Sequence, residues 1–458
     1  MRTFVKIAGI ALFASGSAAA LAADNLAGRW DAQLVRGNNV VPFRLDISGS
    51  GATLKGTLYD GFRPYENTTS ATFKDGKLVL NIEHYLTTIT ATFQDGKLVG
   101  NVVAQNRENR ADYDFVATRH VDAPAAAAGS VPAIAGSWEI PLDTPTSKGE
   151  KAFRFIVEQK GAEVAASILR VDGDTGAYSG TYKDGKWVLS HYDGSRPGVI
   201  EVTPTKDGTL DVLQRVDRPQ QAEANTNTRE KSYGGDAVPD GRYAPKLVAY
   251  RAEVARAKGL PEPANYLTHT TARDPKEKFT FNFPDTDGKL VSNEDPRFKG
   301  KVVVAIVTGT WCPNCHDEAQ YLVQLDKKYR DKGLAIVALD FEEVEQQASL
   351  ARVHAFVKQY GVTYPYLIAG APAEMWEKVP QLVNLNTWPA TVFVGRDGTV
   401  RAVHSGFASP ASGQFHAQLK KEFHERIEQL LAERTPVDGA TLTDASPTAD
   451  GDAVARKL

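Results

Sequence analysis

Cysteine is almost missing from this chain: 458 residues contain two, Cys312 and Cys315. No disulfide can therefore tie distant segments together, and a zinc site has no second pair of thiols at usable spacing. His316 adjoins Cys315, but His354, His404, His416 and His424 are scattered, so no metal is expected. Charge of one sign is missing as well. A formal net charge of -3 supplies no basic field, and no nucleic-acid partner is expected. Long apolar runs are also wanting. Residues 7–13 are apolar, but Gly9, Ser15, Gly16 and Ser17 keep the stretch well short of the roughly 20 residues a bilayer helix needs. With Arg2 and Lys6 before it and Ala20-Leu21-Ala22 after it, residues 1–22 read as a cleaved secretory signal peptide. No cysteine follows that could carry a lipid. The mature chain is expected in the periplasm, without insertion into the membrane.

What is present is a globular composition, 42% hydrophobic and 24% charged, in a chain long enough for about three domains. An internal repeat organises its first half. Ala27-Gly28-Arg29-Trp30 returns as Ala135-Gly136-Ser137-Trp138, and Phe43-Arg44 as Phe153-Arg154. Lys74-Asp75-Gly76-Lys77 returns as Lys183-Asp184-Gly185-Lys186, and Asp95-Gly96 as Asp207-Gly208. The matches keep their order, which argues for a duplicated domain over 24–119 and 133–217. Short alternating runs punctuated by Asp-Gly turns predict antiparallel β structure in each copy, as a small barrel or sandwich. The Gly-x-Trp opening each copy resembles the first strand of lipocalin-type barrels. Trp30 and Trp138 are expected to plug a β core. Residues 120–132 form an Ala/Pro/Gly linker. Residues 218–273 are expected to be a linker with a short helix at 247–258, and the polar tail 435–458 to be disordered.

From residue 279 the rhythm changes to alternating strands and helices, the mark of βαβ units. The pattern predicts strands at 301–308, 334–340, 364–368, 391–394 and 399–404, with helices at 313–331, 349–360 and 414–433. Cys312 then falls at a strand-to-helix junction. Unpaired N–H groups and the positive end of the helix dipole stabilise a thiolate there, so its pKa should drop. Cys315, one turn on and more enclosed, is placed to resolve a mixed disulfide formed at Cys312. A structural disulfide closing so short a loop would gain little chain entropy. Gly309 stands where a peroxidatic cysteine would want a Thr. Glu342, Glu343 and Glu345 are read as a solvated loop or helix start.

Trp311-Cys312-Pro313-Asn314-Cys315, the buried strand before it, Glu318 after it and Trp388-Pro389 later resemble the thioredoxin superfamily. The likeness is closest to its exported TlpA/ResA-like thiol–disulfide reductases and covers 274–434. It implies that Cys312 is the exposed nucleophile, Cys315 the resolving thiol and Glu318 a buried acid that moves protons. Pro389 matches a cis-proline facing the cysteines. Trp311, Pro313, Asn314 and Trp388 would line the groove for a partner. Ile306 replaces a buried Asp of thioredoxin itself, and Gln320 a common Pro. The fold expected is two tandem antiparallel β domains followed by a thioredoxin-like α/β domain.

The resemblance implies a protein-disulfide oxidoreductase with no cofactor beyond a redox-active Cys312–Cys315 disulfide. Its partners would be protein thiols or disulfides and an external electron donor, a membrane thiol reductase being one candidate. Two rivals stand beside the reductase: a disulfide-donating oxidase or isomerase, and an envelope ligand-binding protein that uses the β repeats on a thioredoxin-like scaffold.

Overall fold

The computed structural model describes residues 26–433 except 38, 107–108, 122–130, 175 and 216–245. The signal-peptide reading, the tail and much of both linkers lie outside the described residues.

The first copy is a nine-strand antiparallel sheet running from Gly28–Arg36 to Asn109–Arg119. Each strand pairs with the next in sequence except at one seam, between Arg63–Asn67 and Ser70–Lys74, and the last strand returns to pair with the first. The result is a half-barrel. Its hairpins at Asp75-Gly76 and Asp95-Gly96 have positive φ at both residues, the type I′ geometry that matches strand twist. Period-two alternation turns Trp30, Ala32 and Leu34 inward together with Leu78, Leu80 and Ile82.

The second copy closes. Gly136–Pro141 pairs on one side with Ala152–Lys160 and on the other with Leu247–Arg251, and Ala152–Lys160 pairs with Glu163–Arg170. An eight-strand antiparallel barrel results, with Gly173–Asp174 appended at Glu163–Arg170. This corrects the reading of 247–258 as one helix within a linker. Leu247–Arg251 is the closing strand, only Ala252–Ala257 is helical, and the second copy therefore reaches beyond 217. The hydrogen bonds of an otherwise open barrel edge outweigh the helical spacing of a short segment.

Both copies are plugged in the same way. Trp30 Nε1 donates to Leu26 O (2.9 Å), and Arg119 lies 4.1 Å over its ring while donating to Ala27 O. Trp138 Nε1 donates to Ile134 O (2.9 Å), and Arg251 lies 3.8 Å over that ring while donating to Ala135 O. Each arginine sits on the last strand of its β domain.

The third domain holds a five-strand sheet: β1 (Val302–Thr308), β2 (Leu334–Phe341), β3 (Tyr366–Gly370), β4 (Ala390–Val394) and β5 (Val400–Ser405). The spatial order is β3-β2-β1-β4-β5, parallel through β1, β2 and β3 and antiparallel at β4 and β5. Helices α1 (Pro313–Tyr329), α2 (Ala351–Tyr360) and α3 (Gln414–Ala432) complete it. Strand β1 is buried throughout, as a β-branched run covered on both faces must be. Val302, Val304 and Ile306 share one core with Leu322 and Leu325 of α1 and Phe423 and Ile427 of α3. Val303, Ala305 and Val307 share the other with Phe279, Phe281 and both cysteines. Residues before 274 pack onto this domain too: Ser405 N donates to Tyr266 O, and Thr271–Ala272 pairs with Leu382–Val383 in a separate two-strand sheet.

Candidate active site

Strand β1 delivers the chain to a turn at 309–311, and α1 starts immediately after it. Cys312 is the extended N-cap (φ -98°, ψ 112°), and Pro313 opens the helix, where its missing N–H loses nothing. Cys315 N and His316 N donate to Cys312 O at 3.0 and 3.3 Å. Both cysteines are free thiols. The Cys312 thiol donates to Trp388 O at 3.5 Å, and the Trp388-Pro389 peptide bond is cis.

The two thiols are electrostatically unlike. Burial pushes the Cys312 pKa up, but the Cys315 thiol and backbone N–H and the Arg196 guanidinium outweigh it, against Asp172, leaving it below the ordinary value. Burial, reinforced by the neighbouring Cys312, holds Cys315 well above it. Of the two thiols, Cys312 is the more readily ionised.

Glu318 lies on the buried face of α1, 1% exposed, and accepts a hydrogen bond from Thr391 Oγ1 on β4. Burial raises its pKa to about 8, with the Cys312 charge assisting and the Thr391 bond opposing. Its carboxyl is therefore shielded from solvent. Asp340, at the end of β2, is a second buried acid that sequence reasoning missed. Burial and then Glu342 hold it well above the usual carboxylate range.

The acids at 342 and 343 are not a solvated loop. Both are buried and paired with Arg352, which also donates to Thr310 Oγ1 at 3.1 Å. Thr310 in turn donates to Glu342, and Thr310 O meets His316 Nε2 at 2.7 Å. Paired in this way, the charges brace the turn that carries Cys312.

Two expectations about access need correction. Cys312 is 5% exposed, not open to solvent, and Pro313, Asn314 and Pro389 are buried with it. Trp388 does not line a groove with its ring. It packs edge-to-face on Trp311 (5.1 Å) and Phe341 (5.8 Å), and only its carbonyl faces Cys312. Trp311 is half-buried and donates to Phe341 O (2.9 Å).

The β domains pack against the residues around the dithiol. Asn314 Nδ2 donates to Asp172 O at 2.7 Å, and Gly173 bridges Phe407 in parallel register. On the helical flank, Tyr65 OH donates to Asp317 (2.9 Å), Glu66 accepts from Gln359 and Tyr360, and the Tyr85 ring lies tilted 4.4 Å from His316. Asp172 and Arg196 had no local signal in the sequence. Their relation to Cys312 is created only by domain packing.

Residues 264–418 match the Redoxin family. The thiol-disulfide oxidoreductase ResA of Bacillus thuringiensis (strain Al Hakam) is 32% identical over 146 residues, covering 32% of this chain and 76% of the relative. The thioredoxin-like protein YneN of Bacillus subtilis (strain 168) is 30% identical over 150 residues, with the same two coverages. Among solved structures, a putative thiol:disulfide interchange protein DsbE from Chlorobium tepidum is 22% identical, covering 34% of this chain and 98% of that one at a TM-score of 0.28.

Proposed function

The C-terminal domain belongs to the ResA-like thiol–disulfide oxidoreductases of the thioredoxin superfamily, and from that premise we propose that this chain reduces protein disulfides in the periplasm through Cys312 and Cys315. The observation that carries this reading is the asymmetry of the two thiols, one depressed at a helix N-terminus and the other held protonated beside it.

In the first step the Cys312 thiolate attacks one sulfur of the partner's disulfide. A mixed disulfide forms, the partner's S–S bond breaks, and the departing sulfur takes up a proton. Cys315 then gives up its proton and attacks Cys312 Sγ, which releases the partner's second sulfur as a thiol and leaves the Cys312–Cys315 disulfide. Two electrons have passed to the partner, and an external dithiol donor restores the pair. Glu318, with a pKa near 8, exchanges protons in either direction near neutrality, which suits it to accept the Cys315 proton and to return one. Export rests on the signal-peptide reading of residues 1–22, and the reducing direction on the ResA resemblance.

Cys315→Ser should accumulate mixed disulfides on Cys312, with partners from the exported compartment identifiable by mass spectrometry. Cys312→Ser should accumulate few or none. Equal trapping by the two variants would overturn the assignment of roles. A Cys312–Cys315 potential above the compartment's poise would replace the reductase with the oxidase.

A further inference from the structure

The oxidoreductase reading leaves unexplained why the second β domain reaches the dithiol at all. Its turn at residues 171–174 lies across the loop at 405–412 and the start of α1. Asp172 O accepts from both Asn314 Nδ2 (2.7 Å) and Phe407 N (3.4 Å), and Gly173 forms a parallel bridge with Phe407. Gly406 N in turn donates to Pro389 O (2.8 Å), which ties the loop under the turn to the cis-proline beside Cys312. Asp174 anchors the far end, accepting from Ser409 N and Ser409 Oγ at 2.8 Å each and from Ser412 Oγ at 2.5 Å. Behind the turn, Glu150 accepts from Val171 N, and Lys148 pairs with Asp172.

The two backbones touch because both sides carry glycine. A Cβ on Gly173 would lie 2.3 Å from Phe407 O and 2.9 Å from the Asn314 amide. One on Gly406 would lie 2.3 Å from Val171 O. No other residue permits that approach. The turn thus presents an extended segment to a loop edge by main-chain pairing, the mode by which a bound peptide adds a strand. Asn314, the unusual member of the Pro-Asn dipeptide, spends its side-chain donor on this segment.

We propose that the 171–174 turn holds the place of a partner's extended segment beside Cys312, so that a protein disulfide reaches the thiol only after the turn is displaced. The proposal rests on the oxidoreductase reading for its consequence, but not for its geometry.

Its test is the alkylation of the reduced full chain by N-ethylmaleimide, with each cysteine followed by mass spectrometry and insulin reduction measured in parallel. Asp174→Ala removes its three contacts to the 409–412 loop, along with the bond from Gly176 N, and should speed Cys312 alkylation by about tenfold or more while Cys315 stays protected. Ser412→Ala removes one contact and should give a smaller increase in a chain that keeps its fold. Insulin reduction should rise in the same order. Equal Cys312 reactivity in wild type and both variants would overturn the proposal, and so would a rise of Cys315 in step with Cys312, which reports unfolding. Selective Cys312 exposure without insulin reduction would uphold the cover and sink the oxidoreductase reading instead.

Discussion

The two β domains share a plug of the same geometry, yet they touch the dithiol domain in different ways. Trp30 with Arg119 and Trp138 with Arg251 make the same indole, carbonyl and guanidinium arrangement. At the other end the copies diverge. The first, open at its seam, sends Tyr65, Glu66, His84 and Tyr85 against the flank of α1 and α2. The second, closed, sends the 171–174 turn onto Asn314 and Phe407 beside the dithiol. The duplicated part builds the scaffold, and the part that differs meets the chemistry.

The largest effect should come from the shared end. Trp30→Ala and Trp138→Ala each empty a buried indole site and strand an arginine, so each should destabilise its own copy by about 3–5 kcal/mol. Denaturant unfolding with the remaining tryptophans as probes checks this. If only one variant is destabilised, the plugs are not equivalent despite their geometry.

A smaller effect separates the diverged ends. Glu66→Ala leaves Gln359 and Tyr360 without their buried acceptor and should cost about 1–3 kcal/mol. Because Glu66 braces the flank and not the groove, Cys312 alkylation should stay at the wild-type rate. An acceleration equal to that of Asp174→Ala would erase the distinction between the copies.

This division also marks what could be read from sequence. The dithiol domain was legible because its signals are local: a β-branched run for β1, Pro313 opening α1, and Arg396-Asp397-Gly398 between β4 and β5. The hairpins of the β domains were legible from Asp-Gly pairs whose positive φ the structure shows at Asp75, Asp95 and Asp184. Leu247–Arg251 was not, because its partners are strands far along the chain and its own spacing suits a helix. The cover over Cys312 was not, because Asp172 and Gly173 have ordinary neighbours and acquire their role only against Asn314 and Phe407. Non-local pairing leaves no local periodicity to detect.

The smallest and most specific test lies inside the dithiol domain. Glu318 is buried on α1 and bonded to Thr391 of β4, with its pKa raised from 4.5 to about 8 by burial. A carboxyl raised in this way binds its proton more tightly in the folded chain than in the unfolded one. Between pH 4.5 and 8 the folded state therefore carries the extra proton, and stability falls as pH rises through that window. The usual salt-bridged carboxylate does the reverse. Glu318→Gln keeps the shape and the Thr391 bond while removing the ionisation, so it should flatten this slope and raise stability at the alkaline end. Under the proposed mechanism it should also slow exchange and shift the pH–rate profile, whereas Glu66→Ala should leave that profile in place. Paired measurements of urea unfolding and insulin reduction from pH 5 to 9 distinguish the two variants. A flattened stability slope with an unmoved rate profile would keep Glu318 as a buried acid but remove it from the proton path, and Asp340 would then be the next group to substitute.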